Sequence, residues 1–352
     1  MKREHGVVEA TDALRALDSF DTIVDVRSEG EFAEDHVPGA INCPVLNNAE
    51  RIEVGTMDRQ QSSFEARRRG AALVSRNIAL LLEQQFAEKP RDWHPLVYCW
   101  RGGNRSAALT HILARVGWHP LQLAGGYRAY RRAVMADLEA RPATLQFRVI
   151  CGPTGSGKSR LLQALAGLGA QVLDLESLAC HRGSVLGGLP QRPQPGQKAF
   201  ESQLWNVLRR ADTGRPVYVE SESRKIGSLR VPDALLARMR ESDCIRLDVP
   251  LPARVRLLRD EYAHFELDAP ALLAQLDCLA PLHGHEKVRT WKALASGQQW
   301  DRMVEQLLQD HYDPAYLRSI ARNFKRAPQA LVLAIGSDDP AAYTAAAREL
   351  AG

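Results

Sequence analysis

Two stretches of this chain carry residue types whose spacing suits anion chemistry. The first is Tyr98-Cys99-Trp100-Arg101-Gly102-Gly103-Asn104-Arg105-Ser106. A cysteine that closes an apolar run and precedes two glycines predicts a tight loop whose inward amides nest an anion. A helix expected to begin near Ser106 adds positive potential at its N-terminus. Trp100, Gly102, Gly103 and Asn104 complete the loop, and Arg101 and Arg105 can hold the anion. A thiol at the mouth of such a nest favours the thiolate, which is a nucleophile. The second stretch is Gly152-Pro153-Thr154-Gly155-Ser156-Gly157-Lys158-Ser159. It follows the apolar run Phe147–Cys151 and precedes Arg160-Leu161-Leu162-Gln163, the strand-to-helix setting that a P-loop requires. Amides from Thr154 to Ser159 would cradle phosphates, Lys158 would neutralise them, and Ser159 offers a hydroxyl to Mg²⁺.

Further polar groups recur where strands should end beside that loop. Asp174 and Glu176 close one run, with His181, Arg182 and Ser184 just beyond. Glu220 and Glu222 close another and are followed by Arg224 and Lys225. Acids and bases next to a phosphate loop suit metal and substrate handling. Cys43, Cys151, Cys180, Cys244 and Cys278 form no CxxC spacing, so neither a zinc site nor a disulfide framework is expected.

The elements that must position these groups follow from periodicity. Thr22–Asp25, Leu96–Cys99 and Leu121–Leu123 read as strands and Arg67–Gln85 as a helix. Phe147–Cys151, Val172–Asp174, Val217–Glu220, Ile245–Asp248 and Leu331–Ile335 read as five further strands separated by helical stretches. That alternation predicts a parallel, doubly wound sheet. The expected organisation is an α/β domain over 5–137 and a P-loop α/β domain over 147–352. The run 137–146 is the expected linker, and 251–326 is a helical insertion before the last strand.

Bulk composition agrees with two ordinary globular domains in 352 residues: 45% hydrophobic, 25% charged, net charge +4. No apolar run approaches a membrane span, and the first residues lack a secretory signal, so a cytoplasmic enzyme that binds no membrane is expected. Arginines number 38 against 8 lysines. Residues 93–136 hold six arginines and no acid, and 177–200 hold no acid either. Such stretches suit phosphorylated ligands or nucleic acid. Tyr127 and Tyr130, beside Arg128, Arg131 and Arg132, are candidate base-stacking positions.

The run DVRSEGEFAEDHVPGAINCPV (25–45) resembles the first signature of rhodanese domains, and Cys99 falls where those domains carry their persulfide-forming cysteine. Many of them have a shorter loop; the Cys-x5-Arg spacing from Cys99 to Arg105 is that of cysteine phosphatases and should fit a tetrahedral anion. Phosphatases usually have His where this chain has Tyr98. GPTGSGKS with the acidic strand end and the turn beyond it resembles the tRNA dimethylallyltransferases, whose P-loop holds a prenyl diphosphate. The order rhodanese signature, PVLNNAERIEVGT (44–56), CWRGGNRS, GPTGSGKS, HRGS, ESESRKIG is similar to that of the bacterial tRNA 2-selenouridine synthase family along essentially the whole chain. HYDPAY (311–316) belongs to the same resemblance but has no chemistry assigned to it.

The resemblance implies a transferase acting on the wobble 2-thiouridine in the anticodon arm of certain tRNAs. Geranyl diphosphate would alkylate the sulfur. Selenium from selenophosphate, delivered through an S-selanyl intermediate on Cys99, would then displace the geranylthiol. It implies no tightly bound cofactor, Mg²⁺ as an optional ion at Ser159, and a protein that supplies selenophosphate. The alternative reading is a cysteine-phosphatase-like domain fused to an ATP-dependent kinase or ATPase.

Overall fold

The computed structural model describes residues 6–351 except 185 and 191. The chain divides into two compact units, Met1–Asp137 with Glu201–Gln203, and Leu138–Phe200 with Leu204–Gly352. Each has a parallel sheet with helices around it, so the α/β architecture expected from the alternating runs is the one found.

The first unit is built on strands β1 (Gly6–Val8), β2 (Thr22–Asp25), β3 (Ala40–Asn42), β4 (Pro95–Tyr98) and β5 (Leu121–Leu123), in the order β1-β5-β4-β2-β3. All its pairings are parallel. All four residues of the central strand β4 are buried, as a strand covered on both faces requires. Val24, Val26, Val97, Leu109 and Leu113 pack there with Phe86 and Trp93. Each such side chain contributes roughly 1.5–3 kcal/mol relative to exposure. Helix Asn104–Val116 places Leu109 and Leu113 on this core and ends at Gly117, whose φ of 109° is the left-handed stop that glycine tolerates.

The signature run 25–45 is structural in this unit. Arg27, 1% exposed, donates from Nη2 to Asp25 Oδ2 at 2.6 Å and to the Asp35 carbonyl at 2.7 Å. Its guanidinium lies 4.0 Å from the centre of the Tyr127 ring. Tyr127 in turn donates its hydroxyl to Asp35 Oδ2 at 2.7 Å. Losing one partner of a buried pair costs about 3–5 kcal/mol, so these residues lock the loop after β2 beneath the helix that begins at Gly126.

The second unit has β6 (Phe147–Cys151), β7 (Gln171–Leu173), β8 (Val217–Glu220), β11 (Asp243–Asp248) and β12 (Leu331–Ala334) in the order β12-β11-β6-β8-β7. A separate antiparallel pair, β9 (Lys225–Ile226) and β10 (Leu229–Arg230), follows β8. The stretch before β12 is helical from Leu251–Glu261 to Asp313–Asn323. It has a core of its own around Leu276, Leu279, Trp291, Met303 and Leu307. Most of the stretch expected to be a linker is also helical: Gly126–Ala140 runs into it, and a 3₁₀ turn, Arg141–Thr144, follows. Pro142 at the start of that turn removes only an amide that had no helical partner. Strands β1, β3, β9 and β10, of two or three residues each, are not among the strands read from the sequence.

Candidate functional site

Cys99 is the first residue after β4 and is 3% exposed. The first turn of helix Gly126–Ala140 holds its loop: Tyr127 N–H donates to the Cys99 carbonyl at 2.8 Å and Arg128 N–H to the Trp100 carbonyl at 3.1 Å. A carbonyl fixed on one side of a trans peptide presents the following amide on the other. Gly102 (φ 66°) and Gly126 (φ 55°) are obligatory here. A Cβ on Gly126 would stand 2.3 Å from the Cys99 carbonyl oxygen, and one on Gly102 would stand 2.6 Å from that of Leu123. Trp100 stacks on Tyr127 with centroids 5.3 Å apart. The Gly125-Gly126 pair after β5 was visible in the sequence as a second glycine turn, yet nothing local linked it to Cys99.

Ser106 is a site residue that sequence reasoning passed over as the helix start. Its Oγ lies 3.2 Å from Cys99 Sγ and accepts from Gln122 Nε2 at 3.0 Å. Gln122 also donates to the Gly102 carbonyl at 2.6 Å. Arg105 is engaged by Glu31, with Nη1 at 2.8 Å and Nη2 at 3.4 Å from its carboxylate oxygens. Burial alone would raise the Glu31 carboxyl, but the hydrogen bond and charge of Arg105 outweigh it and hold it below the ordinary range. An anion in the loop must therefore compete with Glu31 for Arg105. Arg101, Asn104, Arg128 and Arg132 are exposed, whereas Arg131 is half-buried and ion-paired with Glu201. Tyr127 and Tyr130 are buried at 3% and 0%, so neither offers a face for base stacking.

In the second unit the P-loop leaves the middle strand β6, with β8 as its neighbour, so Glu220 and Glu222 arrive beside it. Gly155 and Gly157 have φ of 78° and 71°, and Lys158 Nζ donates to the Gly152 carbonyl at 3.0 Å. A Cβ on Gly152 would lie 2.4 Å from Ser156 Oγ, which shows how tightly the loop closes. Two residues absent from the sequence expectations brace it. Arg254, 5% exposed, donates to the Thr154 carbonyl at 2.8 and 2.9 Å and pairs with Asp313. Tyr343 donates to the Ser156 carbonyl at 3.2 Å.

The carboxylates form two layers. Asp174 caps the short helix Leu175–Leu178 by accepting from Ser177 N–H at 2.8 Å. Glu220 is fully buried and accepts from Glu176 N–H at 2.8 Å, with Oε2 unpartnered among the described residues. Burial, then the charges of Asp174, Glu176 and Glu222, push Glu220 well above the carboxylate range. Nearer the loop, Glu176 Oε2 accepts from Ser159 Oγ at 3.1 Å. Burial first, then Glu176, push Glu222 up to about 8 against the opposing charge of Lys158. The cluster thus retains protons at neutral pH that an arriving cation would expel.

A cavity of about 470 Å³ opens in front of this group. Thr154, Lys158, Ser159, Glu176, Arg182, Ser184 and Glu222 line it from the sheet side, and His311, Tyr312 and Tyr316 from the helical insertion. Arg182 lies with its Cζ 4.8 Å from the centre of the Tyr262 ring. His181 instead builds the turn, accepting from Gly183 N–H at 3.1 Å, and burial lowers its imidazole pKa. Arg224 is not brought in: it is exposed and paired with Asp233 at 2.9 Å. A narrow apolar recess lined by Leu186, Leu258, Phe265, Leu272, Met303, Val304, Leu307 and Leu308 adjoins the cavity and shares Thr154, Ser184, Tyr262 and Tyr312 with it. Of the Leu- and Ala-rich run 270–282, Leu272, Leu276 and Leu279 all belong to the helical core, and of these Leu272 also lines the recess.

Comparison with known proteins places both units. Residues 9–133 match the rhodanese-like domain and residues 145–274 the tRNA 2-selenouridine synthase AAA domain. The chain is 38% identical over 257 residues to the tRNA 2-selenouridine synthase of Nitrosomonas europaea, covering 71% of this chain and 66% of that one. It is 33% identical to those of Marinobacter nauticus and Bdellovibrio bacteriovorus, covering 84% and 85% of this chain and 87% and 89% of theirs. With both regions matched and these relatives aligned over most of their length, the chain belongs to the tRNA 2-selenouridine synthase family.

Proposed function

We propose that this protein converts 2-thiouridine in tRNA to 2-selenouridine in two steps, S-geranylation in the P-loop unit and selenium exchange served by Cys99. The observation that carries the first step is the apolar recess beside the P-loop. A P-loop reads phosphate through backbone amides and is indifferent to what the phosphate bears, so selection must come from the adjoining surface. Here that surface is mainly leucine, methionine, valine and aromatic side chains, with Arg259 and Glu266 also on its wall, and the apolar part suits a hydrocarbon chain. Lys158 would stabilise the departing diphosphate. Ser159 and Glu176, whose oxygens converge at 3.1 Å, fit a hard cation that keeps most of its water, and Mg²⁺ held there would neutralise diphosphate charge.

In the first unit, the amide loop around Cys99 suits the selenophosphate anion. Carried on Cys99 as S–Se⁻, selenium forms its bond to sulfur while the Se–P electron pair stays on phosphorus. Phosphite is then released, the S–Se⁻ displaces the geranylthiolate at C2, and a dithiol reductant, oxidised to its disulfide, cleaves the S–Se bond to leave selenouridine and free Cys99. Phosphate among the products would mean instead that Cys99 activates selenophosphate without bonding selenium. The exposed Arg101, Arg128 and Arg132 are the side chains proposed to meet tRNA phosphates. The phosphatase alternative is weakened by the hold of Glu31 on Arg105, the residue that would grip a phosphoryl group.

The test is a single-turnover assay with 2-thiouridine tRNA and pre-geranylated tRNA side by side, read by nucleoside mass spectrometry. Cys99→Ala is expected to accumulate S-geranyl tRNA and form no selenouridine. Lys158→Ala is expected to lose about 10²–10³-fold in geranylation and still convert the pre-geranylated substrate. Failure of Lys158→Ala on both substrates, with wild type requiring ATP hydrolysis, would replace this reading by an ATP-driven one.

A further inference from the structure

The motif HYDPAY begins where the helical insertion changes geometry. Helix Trp300–Leu307 and helix Asp313–Asn323 are joined by a π-helical turn, Leu308–Tyr312. Pro314 accounts for it: without an N–H it cannot close the bond to the carbonyl of Asp310, and its ring crowds that carbonyl. Widened turns of this kind re-aim side chains and recur at functional sites. The side chain re-aimed here is that of His311, which lines the P-loop cavity.

His311 Nδ1 lies 2.8 Å from His283 Nε2, with ring planes at 84°. His283 is held against Trp291, which is fully buried. With Nδ1 engaged, Nε2 is the nitrogen that His311 has left for the cavity. In the tautomer where His311 Nδ1–H donates to His283, that Nε2 carries a lone pair.

We propose that His311 is the general base of the transfer step in this cavity and that His283 is its positioning residue; this rests on the cavity being the geranylation site. Alkylating 2-thiouridine cannot be completed without a base. The sulfur forms a bond to C1 of the prenyl chain, and the C1–O bond breaks with its electron pair leaving on diphosphate. The thiocarbonyl becomes an S-alkyl group with a C2=N3 double bond, so N3 must lose its proton. His311 Nε2 takes that proton, and the N3–H pair becomes the new π bond. The imidazolium keeps its Nδ1–H on His283.

The surroundings keep the base ready. Burial, then the charges of His283 and Arg318, hold His311 below the ordinary imidazole value, so it is neutral at pH 7. The cations Lys158 and Arg182 on the same cavity wall would act in the same direction, and the carboxylates Glu176 and Glu261 would oppose it. Glu222 is a poorer base: it retains its proton at neutral pH and accepts from Ser223 N–H.

The experiment measures single-turnover geranyl transfer to 2-thiouridine tRNA from pH 6 to 9. His311→Gln is expected to lose about 100-fold at pH 7. The loss should shrink as rising pH ionises N3–H without help. His283→Phe is expected to lower the plateau about tenfold and to displace the acid limb of the pH–rate profile, which a packing defect would not do. Calorimetric binding of inorganic diphosphate and conversion of pre-geranylated tRNA are expected to be unchanged in both variants. A His311→Gln rate equal to wild type, or a loss that is the same at every pH, overturns the inference. So does transfer of the effect to Glu222→Gln. A wild-type protein that forms no S-geranyl product overturns the reading of the cavity as well.

Discussion

Cys99 is almost wholly buried, so what reaches its sulfur is decided by its immediate neighbours. Ser106 Oγ at 3.2 Å is positioned by Gln122 and has one proton to share between Cys99 Sγ and the Gly103 carbonyl. A hydrogen bond to a charged group contributes about 1.5–3 kcal/mol. Ser106→Ala is therefore expected to slow iodoacetamide alkylation of Cys99 at pH 7 by about tenfold, a factor worth 1.4 kcal/mol. Peptide mass spectrometry separates this site from the exposed Cys278. An unchanged rate would mean that the hydroxyl serves the Gly103 carbonyl alone.

At the scale of elements, the P-loop unit divides its work between the sheet and the helical insertion. The sheet delivers the phosphate loop and the carboxylates from neighbouring strand ends, where parallel strands concentrate ligand contacts. The insertion supplies the apolar recess, and Arg254 ties it to the loop through Thr154 and Asp313. Filling the recess should then separate recognition of the chain from recognition of the phosphates. Val304→Trp is expected to raise the KM for geranyl diphosphate at least tenfold and to leave inhibition by inorganic diphosphate within a factor of two. The basis is that burying several methylenes contributes about 0.8 kcal/mol each. Steady-state kinetics with both ligands measure this, and a parallel loss of diphosphate inhibition would refute the division.

Over the whole molecule, the buried acids set how stability follows pH. Glu222 has a folded-state pKa of about 8 against 4.5 unfolded, so the native state binds more protons through that window. Stability from this group is fully present below pH 4.5 and is lost as pH rises through 8. His181, His264 and His311, all lowered from 6.5, act in the opposite direction below that value. The net expectation is a melting temperature that falls from pH 6.5 to pH 8.5. Glu222→Gln should flatten the fall and melt higher than wild type at pH 8.5 by several degrees, since about 1 kcal/mol moves a domain of this size by 2–4 °C. Thermal scans of both proteins in the absence of divalent cations provide the check, and equal slopes would show that Glu222 does not titrate in this range.

Much of the chain is legible before folding because its chemistry is local. A P-loop needs a strand, a glycine loop, a lysine and a helix in immediate succession, and a cysteine nest needs the same compactness. Residues 98–106 and 152–159 therefore declare themselves by spacing, as do strands such as Thr22–Asp25 and Val217–Glu220, whose bounds are reproduced. What is not local is not legible. Gly126 belongs to the Cys99 loop only because helix Gly126–Ala140 starts beneath it, and Ser106 meets the sulfur only once that loop has closed. Arg105 reads as a free cation until Glu31 from another helix takes it, and Arg224 reads as a site residue until it turns outward to Asp233. The leucines of 251–326 have one hydropathy, and only packing brings Leu272 of the helical core to the recess wall and leaves Leu276 inside. His283 and His311 are 28 positions apart, and the contact between their rings exists only because the insertion folds back on itself around a π-helical turn.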